Sequence, residues 1–166
     1  MTISSGFYNS INHDRLYSNY DFSNLFEGII TSGVYENVGT AFTVRPAGGN
    51  SVNVGPGAAW LNGYWLRNDS QYTISLDGGS SDSTQYIVLE INFSERKGSI
   101  KAVDSYTTNG ALRQYPIARI TIPGGSSSIN SSNITRMVGK NQNTPYVSLV
   151  LGGSEAIPIS EVQSIF

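Results

Sequence analysis

Most of the chain alternates apolar and polar residues at period two, the pattern of half-buried strands. Only one stretch departs from it. Phe22, Leu25, Phe26, Ile29 and Ile30 recur at helical spacing and line one apolar face, which predicts a helix over about residues 21–32. Asp21 is placed to cap its free N–H groups, Gly28 weakens its middle, and Gly33 offers a left-handed stop. A helix this short must dock on something to persist.

The strand pattern then runs to residue 151. Predicted strands are Ala41–Arg45, Ser51–Val54, Ala58–Leu61, Tyr64–Arg67, Gln71–Leu76, Tyr86–Phe93, Ser99–Val103, Tyr115–Ile122 and Tyr146–Leu151. Asn133–Val138 is ambiguous between strand and short helix. Asn62-Gly63 tolerates positive φ at both turn positions, so Ala58–Leu61 and Tyr64–Arg67 form the clearest hairpin. Its register sets Trp60 beside Trp65 on one face, with Leu61 and Tyr64 on the other. In Tyr86–Phe93 the residues Ile87, Leu89, Ile91 and Phe93 share a face, which leaves Glu90 on the opposite, solvent-facing side. Pro116 suits the start or edge of its strand. Strands without interleaved helices point to a mostly β, α+β fold: an antiparallel β-sandwich with one N-terminal helix packed against it. Residues 1–153 form that domain and residues 154–166 a C-terminal tail. The tail carries Ile157, Ile159, Val162, Ile165 and Phe166, so it reads either as a strap on the same domain or as a peptide for a neighbouring subunit.

Several segments resemble tail and baseplate proteins of phages that infect Gram-positive bacteria, in particular the shoulder domain of lactococcal siphophage receptor-binding proteins. The likeness rests on Asp14-Arg15-Leu16-Tyr17 with the helical stretch Tyr20–Val34, on the Gly57–Trp65 hairpin, and on Tyr86–Ile91 with Gly98–Lys101. It ends with Tyr115–Gly125 and Ser132–Met137, covering roughly residues 7 to 139. These are scaffold signals, not catalytic ones. No stem or receptor-binding head follows the shoulder-like part, so receptor recognition does not carry over. The resemblance implies a non-enzymatic structural or accessory protein whose partners are other tail or baseplate proteins. Full-length relatives form trimers; without the stem, a monomer and a homotrimer are equally open here. The expected location is the host cytoplasm during assembly and the virion tail afterwards.

At 166 residues the chain is long enough for one self-sufficient core. It has no cysteine, which excludes disulfides and thiolate chemistry. A net charge of −2 speaks against a nucleic-acid footprint. No apolar run reaches membrane-spanning length, and the N-terminus lacks a signal-peptide pattern. Four N-x-Ser/Thr sequons, at Asn68, Asn92, Asn130 and Asn133, are the chance product of an Asn- and Ser-rich chain.

No catalytic, cofactor or metal site emerges. His13 is the only histidine and is followed directly by Asp14, a spacing that rarely orients an imidazole. Asp77, Asp82, Glu95 and Asp104 fall in turns and no pair stands out for glycoside hydrolysis. The loop Asp77–Ser83 lacks the acid pattern of a calcium site. The expected interaction surface is Asp14, Arg15, Leu16 and Tyr17, with Trp60 and Trp65 where the hairpin is uncovered. The helix is the expected cover for that hairpin face. The alternative function is a carbohydrate-binding module that grips host cell-wall polymers through exposed aromatics.

Overall fold

The Asn-Gly hairpin forms as its turn chemistry requires. Strands β4 (Gly57–Leu61) and β5 (Tyr64–Asn68) pair with Trp60 opposite Trp65 and Leu61 opposite Tyr64. Asn62 and Gly63 take φ of 49° and 84° at the turn. In this computed structural model, which describes residue 11, residues 17–150 and residues 156–158, the hairpin belongs to a sheet ordered β1-β4-β5, with β1 at Gly33–Val34. A second small sheet, β2-β3-β6, combines Val44–Pro46, Ser51–Val54 and Tyr72–Ser75.

The large sheet is ordered β10-β9-β7-β8: Ile134–Arg136, Leu112–Ile122, Ser83–Asn92 and Lys97–Val103. All its pairings are antiparallel. One face carries Ile87, Leu89 and Ile91 from β7 with Ala118, Ile120 and Ile122 from β9. These pack with Val52 and Val54 of β3, Ala59 and Leu61 of β4, and Leu66 of β5 into one buried cluster. The fold is therefore mostly β with one helix among the described residues, antiparallel sheets stacked on a shared core as in a β-sandwich.

Several details differ from the sequence expectation. The helix α1 spans Asn19–Glu27, not 21–32. Ser18 is its N-cap, and Asp21 sits at the third helical position, closing a capping box back onto Ser18. Gly28 ends the helix, whereas Gly33 lies in β1. A Cβ there would collide with the backbone of Pro145 and Tyr146, so glycine permits a close approach of two chains.

Ala41 and Phe42 are not in a strand. They sit in a turn at φ of 48° and 54°, and Phe42 is fully buried. Alternation read as strand was the imprint of a core-facing turn. Pro116 stands inside β9, but the pairing with β10 stops at Ala118, so on that side it lies on an open strand edge, as expected. It stands at a bulge, where the pairing steps from Ile87↔Ala118 to Val88↔Pro116 and leaves Ile117 without a register partner in β7. The missing N–H is tolerated there because the ladder is already interrupted. Glu90, expected in solvent, is buried.

The ambiguous stretch near residue 133 is both things in turn, a 3₁₀ turn at Ser131–Asn133 followed by β10. Near the C-terminus, β11 (Ser148–Val150) pairs antiparallel with β12 (Ala156–Pro158), so this part of the tail forms a strand. The rest of the tail lies outside the described residues.

Candidate functional site

Helix α1 crosses the tip of the Trp hairpin. Ser23 Oγ donates to the Gly63 carbonyl at 3.0 Å, and the Phe26 ring meets Trp60 edge-on at 5.3 Å between centroids. Beyond the helix, the Thr31 N–H donates to Ser148 O, and the Val150 N–H donates to Ile29 O, tying the helix exit to β11. The turn is anchored from behind: the Asn62 N–H donates to Ser32 Oγ at 2.8 Å. Burial pushes the Tyr115 phenol up, while Arg113 and an Asn62 hydrogen bond pull the other way.

Seated this way, the helix covers only part of the aromatic face. Trp60 is half-buried beneath Phe26, but Trp65, its cross-strand neighbour, stays 74% exposed. Leu25 (45%), Ile29 (44%) and Val150 (38%) are exposed as well, as are Phe22 and Tyr20. Among the contacts between described residues, the expected cover of the hairpin by Phe22, Leu25 and Phe26 is seen as Phe26 over Trp60. These exposed apolar side chains sit on adjoining elements, Phe26 joined to Trp60 by ring contact and Ile29 to Val150 by a backbone hydrogen bond, and together make an apolar surface around α1. Such a surface on a folded domain marks an interaction site. Of the other residues expected to form the contact surface, Tyr17 is exposed next to the helix start. Asp14, Arg15 and Leu16 lie outside the described residues, as does His13.

On the other edge of the hairpin, Tyr64 packs on Phe93 at 5.1 Å, and the Arg113 guanidinium lies 5.2 Å from the Phe93 ring centre. Tyr64, Trp65, Phe93, Asn92, Arg96 and Lys97 line a groove of about 480 Å³ between the hairpin and the β7–β8 turn. Phe93, Arg96 and Lys97 were not expected as site residues. Their sequence signal, Glu95-Arg96-Lys97-Gly98, reads only as a turn.

The acids are spread over separate structural duties. Gln85 Nε2 donates to Asp104 at 2.9 Å and to Asp77 at 3.4 Å, and Asp82 accepts from the Gly124 N–H at 2.7 Å. Glu90 accepts from Lys101 (2.6 Å), Gln114 (2.8 Å) and Ser99 (3.1 Å). Burial alone would raise its pKa. The Lys101 and Gln114 hydrogen bonds and the Lys101 charge override this and hold it below the usual value. Among the described residues no cluster of three His, Cys, Asp or Glu is arranged to hold a metal ion. No helix among them is long and apolar enough to cross a membrane.

No protein-family model, curated protein or solved structure matches this chain.

Proposed function

We propose that the chain is a non-enzymatic structural or accessory protein of a phage tail or baseplate, working through protein–protein contacts. The observation that carries this reading is the uncovered apolar surface of α1, β11 and the Trp65 side of the hairpin. A domain of this size has ample sheet to cover a helix, yet Leu25, Ile29 and Trp65 face outward. A neighbouring protein that buries this surface would supply the missing packing, and the rigid sheets behind it fix its shape. The likeness of residues 7 to 139 to shoulder domains supplies the phage context. It makes the neighbours other tail or baseplate proteins and leaves monomer and homotrimer as the states to be told apart.

Immunogold labelling of purified virions of the encoding phage, with antibody against this chain, tests the proposal. Gold at the tail tip is the expected result. Unlabelled particles beside a strong signal in the infected-cell lysate would overturn a place in the virion and leave only an assembly helper.

A further inference from the structure

The groove between Trp65 and the β7–β8 turn combines two features. Its walls offer aromatic faces: Trp65, 74% exposed, and Tyr64 braced on Phe93. Its far rim offers two adjacent cations, Arg96 and Lys97. No carboxylate of the described residues forms an ion pair with either cation. Lys101, the nearby lysine, is instead paired with Glu90, and the Glu95 charge acts on Lys101. Glu95 itself is not part of the groove wall.

Backbone geometry adds a third observation. Arg96 sits at φ 55°, a left-handed conformation that costs an ordinary L-residue energy and that glycine would take freely. Arg96 is the last residue of the four-residue loop between the paired Asn92 and Lys97, and in the same loop the Glu95 N–H donates to Asn92 Oδ1 at 2.9 Å. This backbone conformation places Arg96 at the groove wall.

We propose that this groove binds a sugar ring carrying a phosphate or carboxylate, the ring lying on Trp65 and the anion held by Arg96 and Lys97. An indole face takes the C–H side of a pyranose, and a guanidinium with an ammonium matches an oxyanion. The volume suits a small ligand or one unit of a polymer. The net charge of −2 disfavours an extended nucleic-acid track, which needs a broad basic surface. Of the two tryptophans named from sequence, only Trp65 takes part, with Trp60 under the helix. This inference goes beyond the assembly reading; it needs Trp65 open to solvent, which leaves α1 and β11 as the neighbour's seat.

The test is an NMR titration of the full chain with four probes: glucose 6-phosphate, glucuronate, glucose and inorganic phosphate. The anionic sugars should shift the Trp65 indole and the amides of Arg96, Lys97 and Gly98. At least one should bind tenfold tighter than glucose or phosphate alone. Trp65→Ala and Arg96→Gly should each lose that binding at least fivefold while the remaining spectrum stays folded. Glycine relieves the φ at position 96, so lost binding there is not a folding defect. Shifts elsewhere, equal binding of inorganic phosphate, or tighter binding of an oligothymidylate would each overturn the proposal. Groove binding with unlabelled virions would remove the virion reading and leave this one standing.

Discussion

Glu90 shows how much one residue can depend on what covers it. Alternation along β7 placed it correctly on the face opposite Ile87, Leu89 and Ile91. What alternation does not carry is that this second face is also covered. Thr107 and Gln114 bond to each other twice, and Thr144 Oγ1 donates to the Pro116 carbonyl at 2.7 Å, so loops close over the outer side of the large sheet. Glu90 is 3% exposed there, and its charge rests on Lys101, Gln114 and Ser99. Because its folded pKa lies below the ordinary 4.5, its contribution to stability is present above that value. It is lost as pH falls through the folded pKa. Lys101→Met leaves a buried carboxylate with two neutral donors. With the lysine head half in water, the cost is about 2–3 kcal/mol at pH 7, below that of a fully buried pair. Without the ammonium, the Glu90 pKa rises, so the gap from the parent protein should narrow towards pH 4. Urea unfolding at both pH values reads this directly. Adding Glu90→Gln to Lys101→Met should recover most of the loss at pH 7.

At the scale of elements, the hairpin was fully legible and the helix only partly so. Asn-Gly between aromatic runs fixes both turn type and register, because it takes positive φ at both turn positions at little cost. The helix start was also in the sequence: Ser18-x-x-Asp21 is a capping box, and reading Asp21 as the cap shifted the N-terminus by two residues. The role of Gly33 depends on the backbone of Pro145, distant in sequence and invisible to local pattern. Two outcomes follow for these elements. Gly63→Ala meets both a positive φ and the Ser23 side chain. It should cost about 1–2 kcal/mol from backbone strain and push α1 off the hairpin. Hydrogen exchange should then quicken across the helix, from Ser23 to Glu27, with β7 and β9 still protected. Ser18→Ala removes the cap at about 1 kcal/mol of helix stability. Its effect should likewise stay in α1, since no described side chain of the helix belongs to the central buried cluster. The Asp21 carboxylate, lowered by its backbone and side-chain hydrogen bonds to Ser18, gives the same region a pH dependence. The helix should fray as pH falls below the usual carboxylate range of about 3.8, and be fully capped above it.

For the whole molecule, stability and function are housed in different places. The core runs through β3, β4, β7 and β9, while the proposed contact surface uses residues that the core does not need. A pattern of apolar residues cannot tell these two uses apart, which is why Leu25 and Ile29 read as core-facing from spacing alone. The separation makes the assembly reading testable by substitution. Leu25→Ser with Ile29→Ser removes apolar side chains that are each nearly half exposed, so their loss should change unfolding free energy by no more than about 1 kcal/mol. If the surface seats a neighbouring tail protein, the same pair of changes should abolish incorporation into particles, because residues buried at the centre of an interface dominate its energy. Quantitative western blotting of purified virions from a phage carrying the two substitutions measures incorporation, and thermal unfolding of the isolated variant measures stability. A stable variant missing from the particle fits a docking face. A stable variant incorporated at parental level would show that the contact lies elsewhere, and a variant that unfolds would return the helix face to the fold.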